Sequence, residues 1–448
     1  MSISQEEVRA ARELSIDQEL RIGAETETRA AETVNPRDPP PLPVDVLIGI
    51  VARSDDAATV VRCAAAWKSL RAAILNPAFY KLLSLRAAAN GGFDPNLLMA
   101  VSCRVSVLRT HRHHLDPVIF PPSSRHCLDA TLLRSSEPVS YRDGLLVLRQ
   151  NDKPRGLRVC NTITGEVTSL PQMKKVLGDE FDKQYTYRPA LLSVNGGGRS
   201  FELLVMYLKF SIFDGYRLET QTFSSEKAKW SIAPRLIHLQ PTGGDGFHFK
   251  ETEAATAPAV VGRSVHWLCR STTPGSFIIL AVDADSVEAT IIDLPQELLA
   301  SMMAPSYGVT SSWSCEKSLI LAPTAEGTKL SVIVEEKLAI STWTLLQQNE
   351  GAGGGISWSR QAVIRRGEIG KQLHSALDAY QPFRFIVFGE TSGTLLFWIC
   401  GVGFLQLNLG TKKVRAIWLG RGGDFDNNTL AILHEINLLS LLKCMKHF

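Results

Sequence analysis

The chain has 448 residues, 45% of them hydrophobic and 21% charged, with a formal net charge of +3. That is the composition of a folded globular chain with room for more than one domain, and it excludes a disordered or collagen-like protein. The longest apolar run, Leu395 to Leu405, is 11 residues with two glycines, too short to cross a bilayer.

Residues 1–38 hold nine acidic and five basic side chains, a balance of −4, and few large apolar groups. Such a stretch has helix propensity but little to pack, so a disordered acidic tail is expected. It has no apolar h-region of the kind a signal peptide carries, which predicts a cytoplasmic or nuclear protein. Pro36, Pro39, Pro40 and Pro41 then read as a stiff linker.

Residues 42–79 are the most informative part of the chain. Leu42 and Pro43 open a helix, with proline at or near its first position, where a missing N–H costs nothing. Val46, Leu47, Ile50 and Val51 fall on one helical face, and Asp45 lies in the first turn, where the helix dipole favours an anion. Asp55 or Asp56 can cap a second helix with Val60, Val61, Ala64 and Ala65 on its apolar face. That helix continues or kinks into a third through Trp67, Leu70, Ala73 and Ile74, and Asn76-Pro77 stops it. About 40 residues are too few to bury so many aliphatic groups alone, so the segment is expected to need a partner. The ordinary alternative is the core-facing side of a larger helical domain.

These residues resemble the F-box, and in particular the plant proteins that pair an N-terminal F-box with a C-terminal F-box-associated β-propeller. The marks are Leu42-Pro43-x-Asp45-Val46-Leu47-x-x-Ile50, Val61-Arg62-Cys63, Lys68-Ser69-Leu70-Arg71 and Asn76-Pro77-x-Phe79. One departure is plain: Trp67 precedes the lysine, and Leu70 stands where many members of the family have tryptophan. The resemblance implies docking on a Skp-type adaptor through Leu42, Pro43, Val46, Leu47, Ile50, Val51, Val60, Val61, Ala64, Trp67, Leu70 and Ile74. Five or six such side chains, at roughly 1.5–3 kcal/mol each, give a gross gain of about 8–18 kcal/mol.

Residues 39–115 hold four acidic and nine basic side chains, a balance of +5, which suits an acidic protein partner. Arg104, Arg109 and Arg112 are not interleaved with aromatics, so no nucleic-acid groove is expected. His111, His113, His114, His126 and Cys127 form the one cluster with ligand chemistry, but their spacing fits no standard zinc pattern, and a solvated basic loop is the simpler reading. The eight cysteines are scattered without a C-x-x-C pair and read as reduced, buried small hydrophobes.

Beyond about residue 116 the period changes from helix to strand. Runs such as Gly144–Leu148, Phe201–Tyr207, Phe277–Val282, Leu330–Val334 and Thr394–Ile399 are separated by Gly, Pro, Asn, Asp and Ser. Trp230, Trp267, Trp313, Trp358 and Trp398 recur at intervals of 37 to 46 residues, about one propeller blade. Dividing the 333 remaining residues by about 45 predicts six or seven blades, with a pair of β-sandwiches as the alternative. Asp143-Gly144-Leu145-Leu146, Val159-Cys160-Asn161-Thr162-x-Thr164-Gly165, Leu170-Pro171 and Leu407-x-Leu409-x-Thr411 resemble the F-box-associated propeller, with Thr162 in place of its usual proline.

The expected organisation is an acidic tail and linker (1–38), an F-box (39–82), a helical connector (83–115) and an all-β propeller (116–448). No Ser/His/Asp arrangement, nucleophile elbow or phosphate loop is present in the sequence, and His266, flanked by Val265 and Trp267, reads as a packing residue. No catalytic residue, cofactor or metal is therefore expected. The resemblance implies a substrate-recognition subunit of a Skp–cullin–F-box ubiquitin ligase, in contact with the adaptor, with cullin and RING protein through it, and with a protein substrate, but not with nucleic acid or membrane. The alternatives are an adaptor-binding F-box protein acting outside degradation and a propeller hydrolase. Acidic or arginine side chains converging on the propeller channel would mark the latter.

Overall fold

The computed structural model describes residues 42–54, 57–104, 118–120, 132, 135–150, 156–162, 164–173, 187–195, 198–211, 215–231, 235–239, 247–248, 257–271, 277–286, 288–303, 318–346, 356–375, 377, 381–418, 430–438 and 441–442. The expected acidic tail, the proline linker, the Asp55/Asp56 cap and the His111–Cys127 cluster lie outside them.

The chain divides after Ile50 into two units. Of the first, the described part is Leu42–Ile50, which carries most of helix α1 (Val44–Ala52). The helix starts as the sequence predicts: the N–H groups of Val46 and Leu47 both donate to the Pro43 carbonyl at 3.1 Å, and Asp45 sits in the first turn.

The second unit opens with α2 (Ala57–Ala66), α3 (Lys68–Ile74) and α4 (Pro77–Ala89). Arg71 turns its guanidinium back onto the end of α2, donating to the Ala64 carbonyl at 2.7 Å and the Ala65 carbonyl at 3.1 Å, where a cation satisfies orphan C=O groups. Asn76 does more than stop a helix. Its side chain accepts from Ala78 N at 2.9 Å, so Asn76-Pro77 caps α4, a helix that the sequence reading split between F-box and connector. The connector is also corrected at its far end: after a 3-10 turn (Pro95–Leu97), the chain is already a strand, β1 (Leu98–Arg104), followed by β2 (Val118–Phe120).

Five antiparallel blades follow. The first holds β3 (Ser136–Arg142), β4 (Leu145–Gln150), β5 (Leu157–Asn161) and β6 (Val167–Ser169). The second holds β7 (Tyr187–Asn195), β8 (Ser200–Ser211) and β9 (Gly215–Ser224), with both β10 (Lys229–Trp230) and β11 (Arg235–Leu239) paired to β9. In the third, β12 (Phe247–His248) and β13 (Ala259–Val261) pair with β14 (Ser264–Ser271), followed by β15 (Phe277–Asp283) and β16 (Ala289–Asp293). After helix α5 (Gln296–Met303) comes the fourth, β17 (Leu319–Pro323), β18 (Leu330–Glu336), β19 (Ala339–Leu346) and β20 (Ser357–Arg365). Helix α6 (Arg366–Leu373) leads to the fifth, β21 (Phe383–Phe388), β22 (Thr394–Ile399), β23 (Gly403–Asn408) and β24 (Val414–Trp418). The last strand, β25 (Leu430–Glu435), pairs with β1 from Leu98↔Glu435 to Arg104↔Leu430, making a three-stranded sheet in the order β2-β1-β25.

The first strands β3, β7, β13, β17 and β21 neighbour one another in sequence order, and β25 lies against both β21 and β3, so the ring is closed. Apolar clusters fill the spaces between consecutive sheets, for example Leu204, Leu218, Trp267 and Leu280 between blades two and three. Because each sheet is covered on both faces, β17 and β22 are buried at every position instead of alternating.

The expectation of six or seven four-stranded blades is corrected, among the described residues, to five full blades and one three-stranded closing sheet, and the sandwich alternative falls with it. Inner strands begin at residues 136, 187, 259, 319, 383 and 430, so the repeat is longer than a blade of about 45 residues. Helices and long connections between blades take up the difference. The tryptophans do not mark one repeated place either: Trp230 and Trp358 are on outer strands, Trp267 and Trp398 on second strands, and Trp313 lies outside the described residues.

Candidate functional site

The residues expected to meet an adaptor fall into three groups. Val46 and Ile50, four residues apart on one face of α1, are 43% and 54% exposed; Leu42 and Pro43, just before the helix, are exposed too, and Trp67 is 50% exposed where it precedes α3. Leu47 and Val61 are half-buried. Val51, Val60, Ala64, Leu70 and Ile74 are buried within the chain. The physical reason is that α2, α3 and α4 turn against one another and, with Phe79 and Leu83, cover more apolar surface than the segment's length suggested. Leu70, in the position usually held by tryptophan, is one of these core groups.

The helices of the second unit are tied to the propeller by side chains that sequence reasoning missed. Arg86 on α4 donates to the carbonyls of Ala52 at 3.1 Å and Ser54 at 2.7 Å, and forms an ion pair with Asp94. Asp94 N donates to Thr391 O at 3.2 Å in the β21–β22 turn. Phe93 packs edge-on against Phe388 at 5.9 Å between ring centroids and fills the space over Gly393, where φ is +67° and a Cβ would strike the ring. Glycine is required there on both counts.

Charged groups meet at one end of the propeller channel. Glu435 at the end of β25 accepts from Ser392 N at 2.7 Å and Thr391 N at 3.3 Å, with Gly389 leaving room for its carboxylate. Tyr141 on β3 donates its hydroxyl to Glu435 O at 2.7 Å and accepts from Glu435 N. Arg142 Nε lies 3.8 Å from Glu390 Oε2 in the β21–β22 turn. Burial pushes the Glu390 carboxyl up to about 7; Arg142 opposes that shift, and Glu435 and Asp143 add to it. Burial also raises Asp143 and Glu435. The sequence signals for this cluster are the two-residue Asp143-Gly144 turn and the Gly389-to-Gly393 turn, each holding an acid at a strand end.

Away from that cluster, His266 is buried on β14, and burial pushes it down to about 4, opposed in part by the nearby Ala259 and Ser264 backbones. It is a neutral packing residue. Cys160 and Cys269 are buried as expected, but Cys400 is exposed in the β22–β23 turn, which corrects the uniform reading of the cysteines. Among the described residues no group of three His, Cys, Asp or Glu side chains is placed to hold a metal ion. No helix among them is long and apolar enough to cross a membrane.

The family profile described as "Domain of unknown function (DUF7595)" matches residues 106–448. The chain belongs to the DUF7595 family. The DUF7595 match covers the five blades and β25, and begins after the helices of residues 44–89. No curated protein matches the chain. Among solved structures, an oligogalacturonate lyase from Vibrio parahaemolyticus is 8% identical, over 62% of this chain and 62% of that one, with a TM-score of 0.28. Dipeptidyl peptidase 4 from Porphyromonas gingivalis is 6% identical, over 68% of this chain and 46% of that one, at 0.27. An auxiliary nutrient binding protein from Bacteroides thetaiotaomicron is 10% identical, over 75% and 69%, at 0.28. The DUF7595 chain thus spans less than two thirds of the lyase and about half of the peptidase.

Proposed function

We propose that this chain is the substrate-recognition subunit of a Skp–cullin–F-box ubiquitin ligase, cytoplasmic or nuclear, docking on the adaptor through α1 and presenting a protein substrate on the propeller. One observation carries the reading: Leu42 before the helix and Val46 and Ile50 on it are exposed apolar side chains around Pro43, within the residues that resemble an F-box. Such a chain performs no bond chemistry. It raises the effective concentration of a substrate lysine near a charged thioester, and anchoring α2–α4 to the propeller through Arg86, Phe93 and Asp94 suits that role.

The magnitudes limit the claim. Burying the exposed half of three aliphatic side chains gives about 2–5 kcal/mol gross, less than the larger sum that the full residue set implied. Association costs about 4–15 kcal/mol, so a stable complex needs buried area beyond α1. The test is binding of a purified Skp-type adaptor to the full chain and to Ile50→Asp, with circular dichroism as the folding control. Wild type is expected to bind and the folded variant to lose binding by more than about tenfold, because an unpaired carboxylate in an apolar interface costs several kcal/mol. Equal binding by both defeats the proposal.

A propeller hydrolase is the second reading, and the convergence of Asp143, Glu390, Glu435 and Arg142 on the channel favours it. Against it, the Glu435 carboxylate already accepts two backbone N–H groups. That reading requires a hydrolytic activity that Glu390→Gln abolishes.

A further inference from the structure

Glu390 belongs to blade five, whose neighbours in the ring are blade four and the closing sheet. Its carboxylate nevertheless meets Arg142 of blade one at 3.8 Å, beyond the closing sheet. Arg142 in turn donates to Leu191 O of blade two at 3.4 Å, and Leu191 N donates to Ser140 Oγ of blade one at 3.2 Å. Tyr141 and Glu435 join blade one, blade five and the closing sheet. Four of the six sheets are thereby joined through a few polar groups at one end of the axis. We infer that these groups form a proton-sensitive brace, in which Glu390 is the member whose ionisation loosens the ring.

The groups around Glu390 determine the sign. Blade one brings the Arg142 guanidinium and the Asp143 carboxyl, with the Tyr141 hydroxyl held on the Glu435 backbone; β25 brings the Glu435 carboxyl; β13 contributes only the polarity of the Val260 backbone. One cation faces three carboxyls, in a place where a quarter of the Glu390 side chain remains exposed. Full ionisation leaves two negative charges uncompensated. The Glu390 carboxyl, at about 7 when folded, lies above its ordinary value of 4.5, so the folded protein holds a proton that the unfolded chain releases. Its contribution is greatest at low pH and is lost as pH rises between those two values.

The test is thermal unfolding of the full chain and of Glu390→Gln between pH 4 and 8.5. The wild-type Tm is expected to fall with rising pH by a few degrees more than that of the variant, with the difference developing from about pH 4.5 and levelling off above about 7. Glu335, which burial also pushes up to about 7, is common to both proteins and cancels in that difference. Parallel curves overturn the inference. Should Glu390→Gln fail to fold, Arg142→Gln serves instead: loss of the one nearby cation moves the wild-type transition to higher pH, and an unmoved transition overturns the inference equally. Adaptor binding is not read in either case, so the outcome is independent of the ligase proposal.

Discussion

Ile74 and Ile50 are the same residue type on two short helices, yet one is fully buried and the other is 54% exposed. Replacement therefore separates core from surface. Ile74→Ala removes buried methyl groups and is expected to destabilise by about 2–5 kcal/mol, read as a lower denaturant midpoint. Ile50→Ala is expected to change that midpoint little. Tyr141→Phe leaves both backbone groups of Glu435 without their partner, and a loss of about 1–3 kcal/mol is expected in the same measurement. His266 works in the acid direction: its folded value of about 4 lies below the ordinary 6.5, so its neutral burial supports the fold above 6.5 and the support fades as pH falls towards 4. His266→Gln is expected to flatten that loss between pH 7 and 5, as read by urea midpoints.

At the scale of elements, the connection between α4 and β1 matters most. Gly393→Ala places a methyl group against Phe93 at a positive φ, and is expected to weaken the contact of residues 90–94 with blade five. Faster proteolytic cleavage between Ala89 and Leu98, with the propeller fragment intact, would show it; an unchanged cleavage rate would contradict the anchoring. The start of α1 was legible because Pro43 and Asp45 act within one turn. Strand runs were legible because every blade is covered on both faces, which leaves uninterrupted apolar stretches such as Thr394–Ile399. The burial of Val60, Leu70 and Ile74 was not, since an apolar helical face looks the same whether its cover comes from this chain or another. Arg86, Phe93 and Asp94 were equally silent, because their partners lie far away in sequence.

For the whole molecule, periodicity revealed a propeller but overcounted the blades seen among the described residues, because α5, α6 and the long stretches between inner strands lengthen the repeat. The closing sheet was hidden for a related reason: β1 and β25 are separated by most of the chain, and only their pairing shows them to be one sheet. Removing residues 430–448 takes away the inner strand of that sheet and exposes the apolar faces of blades one and five. Loss of cooperative thermal unfolding is expected; a sharp unaltered transition would contradict ring closure by β25. The axial acids were visible as turn residues but not as a cluster, since four blades' worth of sequence lies between Asp143 and Glu390.

The most direct measurement is amide hydrogen exchange of the full chain with and without a purified Skp-type adaptor. The account predicts slowed exchange within residues 44–52, with the amides of the five blades unchanged. Absence of any complex, or protection confined to the propeller while α1 exchanges freely, would contradict it.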